Sequence, residues 1–450
     1  MKKTILIICL LYSTVIHAQF FDGFPKEDTG NLMGGFGMTW IDGEPHYTVR
    51  LTPDVSFGNF GLGLDLNLDF DANGKLRSEN FKDAADYLSL IRYFRYGKKG
   101  DPAFVKAGAI DLYTLGQGNL MYAYSNSPSF DNRKVGLVVD ADFSAFGFES
   151  IYSDFSTGGI LGVRGYVRPL QFTSLSSMPI LKNIEVGASF AHDFNEYAGI
   201  TGVKSIVPQG NQAVIEFYTD GGARSAFGLD IALPVIKTDI LRVTPYANFT
   251  KILDNGSGAA TGIKLDFEGL GLVNATVLFE RRFNGENYIP AYFSSLYELE
   301  RFSYNQQNGQ LTSKAAMLKG MPKPDNGIFG SLYVGVLGLF DIIGSYQRLD
   351  KTPNSGMLHI ASNILPEDAP VVLRFGYDKI HIRDDKDIFT FDDRSHFYSE
   401  AGYKPMPYLI VSIVYHWTFA PLRDADDTVI GYEPQKRIEP RVSFVYPFNF

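Results

Sequence analysis

Cysteine is all but missing from this 450-residue chain: its single thiol, Cys9, sits among the first ten residues. A product trimmed after residue 18 keeps none, which excludes disulfides, thiolate catalysis and cysteine-ligated metal. Tryptophan is scarce, with 2 against 36 Phe and 26 Tyr. Apolar runs of about 20 residues, the length a membrane-crossing helix needs, are absent, and mean hydropathy is only -0.06. Surplus positive charge is lacking as well. Lys and Arg number 41 against 50 Asp and Glu, and such an acidic balance argues against general nucleic-acid binding, which draws on basic patches. The 45% hydrophobic content excludes a disordered chain. No heptad or collagen period, internal repeat or linker divides the sequence.

Glycine and aromatic residues are abundant, at 45 Gly and 14% aromatics, a mixture that suits many strands joined by turns. Alternation with a period of two recurs along the chain. Leu62, Leu64, Leu66, Leu68 and Phe70 face Gly61, Gly63, Asp65, Asn67 and Asp69. Phe227, Leu229, Ile231 and Leu233 alternate with Gly228, Asp230 and Ala232, and Leu241, Val243, Ala247 and Phe249 with Arg242, Thr244, Tyr246 and Asn248. Val371, Leu373, Phe375 and Tyr377 set against Arg374 and Asp378 repeat the pattern. Runs of about 9–12 residues match tilted strands that cross a membrane. Strands in lipid must pair all their backbone groups and so must close on themselves.

The expected fold is therefore all-β: a transmembrane antiparallel up-and-down β-barrel of about 20 strands (16–20), with long outer loops. Strands are expected at 33–41, 45–57, 59–70, 87–97, 103–112, 134–143, 146–155, 159–168, 183–194, 225–234, 240–252, 260–268, 270–283, 327–339, 341–349, 355–362, 369–380, 396–404, 407–418 and 438–450. Counted back from an inner C-terminus, long connections then mostly fall outside and short ones inside, with 169–182 a long inner exception and 156–158 a short outer one. That parity makes Ala213–Thr219 part of an outer loop and 419–437 another.

The two ends point to export. Lys2 and Lys3, the apolar run from Thr4 to Val15 and Ala18 before Gln19 read as a signal peptide over 1–18, leaving 19–450 as one barrel domain. At the other end Val442, Phe444, Tyr446, Phe448 and Phe450 alternate with Arg441, Ser443 and Asn449. This terminal strand resembles the C-terminal signal of Gram-negative outer-membrane β-barrels. The resemblance implies the cell outer membrane as location and recognition by the barrel-assembly machinery through Phe444, Tyr446, Phe448 and Phe450. Pro447 departs from the pattern because it cannot donate to a ladder. The stretch Tyr87 to Pro102, continuing through Gly108–Gly118 and Lys134–Asp154, resembles an uncharacterised barrel family of these bacteria, which implies the fold and no particular activity.

Candidate lumen-facing residues are Asp65, Asp69, Arg164, Arg168, Asp230, Arg242, Arg374 and Asp378. Charges of both signs inside a wet barrel suit a porin-like channel for diffusion of small polar solutes; paired across strands they would simply fill the lumen. The longest insertion, 284–326, carries Tyr288, Tyr292, Phe293, Tyr297, Phe302 and Tyr304, with a short helix expected within 294–302. It is a long outer loop or a plug. A barrel binding a hydrophobic ligand or a partner protein through its loops is the alternative function, and an outer-membrane hydrolase a more remote one. Ser412 and His416 share a strand face, and His192 precedes Asp193, but four strand residues span roughly 13 Å, too far for a hydrogen bond. No GxSxG, P-loop or HExxH motif occurs, so no catalytic residue, cofactor or metal is assigned and the chain is not read as an enzyme. The acidic groups Asp384, Asp385, Asp387, Asp392, Asp393 and Asp424, Asp426, Asp427 read as solvated faces rather than Ca²⁺ sites. Tyr and Phe at strand ends fit interfacial girdles. The partners expected are outer-membrane lipid and small solutes, with no nucleic acid.

Overall fold

Every residue of an alternating strand has its backbone donors and acceptors in the sheet plane, so neighbouring stretches pair as they follow one another. In the computed structural model the main sheet has 23 strands, and their pairings are antiparallel throughout. The structure describes residues 29–78, 81, 87–88, 90–127, 129, 133–156, 158–209, 212–220, 224–269, 272–305, 309–321, 323–336, 340–364, 370–425 and 429–449. The segment 1–18, Asp426, Asp427 and Phe450 lie outside them.

The pairings run from strand to strand and return to their start. Thr29–Ile41 is bonded on one edge to Glu44–Leu51 and on the other to the last strand, Val429–Asn449, from Thr29 opposite Asn449 to Ile41 opposite Arg437. Three lines of chain are each interrupted once: Glu44–Leu51 with Asp54–Phe57, Phe60–Leu64 with Leu66–Phe70, and Ser225–Ala232 with Ile236–Lys237. The breaks fall at Pro53, Asp65 and Pro234; a proline offers no ladder donor. Among the described residues this leaves twenty courses of chain, one for each stretch expected from the alternation.

The two faces of the wall are inverted relative to a soluble protein. Along the last strand Gln435, Arg437, Glu439, Arg441 and Ser443 are buried while Val442, Phe444 and Tyr446 are exposed. Tyr246, Asn248 and Thr250 are buried and Phe249 is exposed; Thr276 and Glu280 are buried and Val277 and Phe279 are exposed. Water-soluble chains bury the apolar set and leave ions outside. An apolar exterior around an ionic interior is the arrangement of a barrel set in lipid. No helix among the described residues is long and apolar enough to cross a membrane.

Three expectations need correction. The early strands are shorter than the alternation suggested: Ile91–Tyr96 and Ala103–Gly108 have 6 residues each, whereas Leu241–Ile252 has 12. Gly108 causes the early exit, for its φ of 124° is open to glycine but strained for L residues, and a Cβ there would stand 2.5 Å from the Arg92 carbonyl. The chain turns inward after it. Segment 419–437 is mostly not loop, because Leu409–Arg423 and Val429–Asn449 stay paired up to Arg423 opposite Val429. Their tip gains a core of its own: Leu422 and Ile430 pack with Ile200, Ile215, Phe302 and Tyr304 of two small hairpins. Ala213–Thr219, as expected, stands outside the main sheet, in the hairpin Ile200–Gln209 with Gln212–Thr219. Tyr377 keeps its outward alternation but is buried, since Phe391 folds over it edge-on with ring centroids 5.8 Å apart. The short helix expected within 294–302 is the single turn Tyr297–Glu300, and a second helix, Lys314–Lys319, follows it in the same insertion.

Candidate functional site

The densest ionic constellation on the inner face is built around Arg164. It lies in Ile160–Val167, directly opposite Glu149 of the neighbouring strand. Its guanidinium donates to Asp230 at 2.9 and 2.6 Å, to Glu185 at 2.8 Å and to Glu149 at 3.3 Å. Asp230 is two strands away, beyond Glu185–Asp193. The intervening residue at that level is Gly187, opposite Asp230. A Cβ there would lie 2.6 Å from the Asp230 carboxylate and 2.7 Å from Arg164 Nε, so the missing side chain is what lets the arginine cross the strand. Arg168 extends the set, donating to Asp142 at 2.8 Å and to Glu185 at 2.9 Å.

The other candidates are dispersed around the wall. Asp69 accepts from Thr48 at 2.7 Å and lies 3.5 Å from Arg437. Asp65 pairs with Arg133 at 3.0 Å, Arg374 with Glu400 at 3.1 Å and Asp378 with His359 at 2.8 Å. Arg242 lies opposite Asp266 in the register, with no ion pair among the described residues. Asp69, Arg164 and Asp230 are buried and the other five are half-buried. Charge of one sign is thus answered locally by the other, rather than being sorted onto two opposed walls.

Two segments fold against this inner face. The first leaves the wall after Gly108, the second after Asn284, and they bond to each other. Ala291 N–H donates to the Asn119 carbonyl at 2.8 Å, Tyr122 N–H to Phe293 at 3.1 Å and Phe293 N–H to Leu120 at 3.2 Å. Their aromatic side chains, Tyr113, Tyr124, Tyr288, Tyr292, Phe293 and Tyr297, form one core with the wall residues Phe104, Val138, Ile151, Ile160 and Ile252. Contacts extend round the ring. Gly116 N–H donates to Glu149 at 2.7 Å, Asn119 to Thr250 at 3.0 Å, and Tyr122 meets Phe329 edge-on at 4.7 Å. Beyond these, His381 lies 3.3 Å from Glu300.

A buried ionic ladder fastens the second segment. Arg301 donates to Asp193 at 2.7 Å and to Glu298 at 2.8 Å, and Tyr297 donates to the same Asp193 at 2.9 Å. Glu298 accepts also from Lys134 and, at 2.6 Å, from Tyr124. Glu300 accepts from Lys314 and from Ser294 at 2.9 Å. Burial would raise both carboxyls, but the charges of Arg301 and Lys134 hold Glu298 down at about 2, and Lys314 and His381 hold Glu300 there as well. Both stay ionised when buried because the partners are fixed and close. The sequence singled out none of Glu149, Glu298, Glu300 or Arg301, and marked Asp193 only as the neighbour of His192. The available signal was an ionic run, Glu298 to Arg301, inside an aromatic-rich insertion.

The remaining chemistry-bearing residues are not assembled. Ser412 donates to Glu400 at 3.0 Å, and His416 meets Tyr398 at a tilt, with ring centroids 5.0 Å apart. His192 shares a hydrogen bond of 2.7 Å with Ser225, while Asp193 points the other way to Arg301. Asp387 and Asp392 both bind Arg394.

No protein-family model matches the chain, and no curated protein matches it. Among solved structures it is similar to OccK11 (OpdR) of Pseudomonas aeruginosa, with 10% identity over 95% of this chain and 100% of that one, at a TM-score of 0.33. It is also similar to Wzi, an outer-membrane protein involved in group 1 capsule assembly in Escherichia coli and a carbohydrate-binding β-barrel, with 9% identity over 94% and 85% and a TM-score of 0.34. OccAB2 of Acinetobacter baumannii gives 9% identity over 94% and 98%, and a TM-score of 0.32.

Proposed function

We propose that this chain is an outer-membrane, porin-like channel through which small polar solutes diffuse along a narrow interior path. One observation carries the reading: a ring of paired strands whose outside is apolar and whose inside holds Arg164, Asp230, Glu280, Arg282 and Arg441. Ionic side chains facing inward solvate a polar solute, and an apolar exterior does not. The described parts of 109–133 and 285–324 narrow the path as an internal plug, so small solutes pass and large ones do not. Residues 1–18 direct export, and Phe444, Tyr446, Phe448 and Phe450 are read by the barrel-assembly machinery. The eight candidate charges line the path, and no catalytic step is assigned.

Planar-bilayer recording on refolded protein tests this reading. Wild type should conduct weakly, and deletion of 290–320 should raise the conductance. A barrel that stays sealed in both forms, with no solute flux into vesicles, overturns it.

A further inference from the structure

Among the described residues, the connection 169–183 differs from the other turns at its end of the barrel. It joins Ile160–Val167 to Glu185–Asp193 at the end where Thr29, Asn449 and the short turns lie. Pro169, which pre-sets its own φ, opens the first of three 3₁₀ turns, Pro169–Phe172, Ser174–Ser177 and Leu181–Asn183, and none of these holds a buried residue. Phe172 is 66% exposed, Ile180 48% and Met178 46%, with Leu175 and Leu181 exposed beside them. Gln171 ties the segment to the adjacent turn through the Ser144 carbonyl at 3.1 Å. Exposed Phe143 and Phe146 flank it on that side, and Val235, Ile236 and Ile240 are exposed in the turn beyond.

Two relationships say what covers this face. First, it continues the lipid-facing band. Phe146, Val167, Val186 and Ile231 lie opposite one another across four adjacent strands, all exposed. The segment leaves the wall just after Val167 and rejoins it just before Val186. Second, Lys182 and Lys237 are exposed, with no carboxylate partner among the described residues. Apolar side chains edged by unanswered cations match the boundary between acyl chains and phosphate headgroups.

We propose that 169–183 is an interfacial anchor, seating Phe172, Leu175, Met178 and Ile180 in the phospholipid leaflet at this end of the barrel, with Lys182 and Lys237 on its phosphates. This rests on the membrane reading above. The trimmed chain has no cysteine, so Phe172→Cys or Ile180→Cys gives one labelling site, and Asn73→Cys, in an exposed turn at the opposite end, gives an aqueous control. Each variant, labelled with an environment-sensitive fluorophore, is refolded into vesicles of phosphatidylethanolamine and phosphatidylglycerol. Heat-dependent gel mobility reports insertion separately. If no variant inserts, the membrane reading and the anchor fall together. If all insert, the labels at 172 and 180 should be quenched by bromolipid and shielded from iodide, unlike that at 73. Charge reversal at Lys182 and Lys237 should remove roughly half of the bromolipid quenching. Inserted protein whose labels at 172 and 180 respond to iodide as the control does overturns the anchor alone. So does shielding that appears only when periplasmic protein is added, which would give the face to a protein. Quenching unchanged by charge reversal overturns the role given to the two lysines.

Discussion

Asp230 receives two hydrogen bonds from Arg164 across an intervening strand, because Gly187 leaves the gap that the guanidinium fills. The arginine is 2% exposed and meets three carboxylates. Removing it leaves negative charges crowded without their counter-ion, which is costlier than losing one hydrogen bond.

Arg164→Ala should therefore destabilise the refolded barrel by about 3–5 kcal/mol. Gly187→Val should cost about 1–3 kcal/mol by pushing the pair apart. Because both act on one contact, the double variant should cost less than the sum. Urea midpoints of heat-dependent gel mobility read all three; additive costs would show that Gly187 and Arg164 act separately.

The ladder around Glu298 has a pH signature. Its carboxyl is depressed to about 2 from an ordinary 4.5, so its pairing is fully present above pH 4.5 and is lost as pH falls towards 2. Glu300 behaves alike. Acidification through that window should loosen the second insertion and raise conductance reversibly. Glu298→Gln should make the pH dependence shallower, and Glu298→Gln with Glu300→Gln should flatten it. A wild-type conductance constant from pH 5 to pH 2 would falsify the link.

Asn126 fixes the first insertion where it leaves and rejoins the wall. Its Oδ1 accepts from Ile110 N–H at 3.1 Å and its Nδ2 donates to the Ser153 carbonyl at 2.9 Å. Asn126→Leu keeps the branching at Cγ but leaves buried backbone groups unpaired, a loss of about 1–3 kcal/mol each. Chymotrypsin cleavage after Tyr113, Tyr122 or Tyr124 should become faster than in wild type, while the barrel still migrates as folded.

The strand courses were legible because alternation is local: Leu62 to Phe70 against Gly61 to Asp69 fixes a face without knowledge of any partner. The insertions were not, since Asp193 and Arg301 are far apart in sequence and nothing near either residue announces the other. The early exit at Gly108 was hidden for a related reason. Ala109 and Ile110 keep the run apolar past Gly108, but the backbone of Ile110 is already bonded to Asn126, so pattern and pairing part company there. The long hairpin to Arg423 and Val429 was missed because its tip is stabilised by Phe302 and Tyr304 of another loop.

Adjacent positions on one strand separate the two faces energetically. Phe279 is exposed on the outside, whereas Leu278 faces inward opposite Lys264. An arginine at 279 must reach lipid, at about 2–4 kcal/mol near mid-depth. An arginine at 278 meets an interior that already holds Asp266 and Glu280. Phe279→Arg should thus lower the urea midpoint of vesicle-refolded protein far more than Leu278→Arg. Equal small losses would mean that water, not lipid, surrounds the barrel, because an exposed arginine in water costs almost nothing on either face.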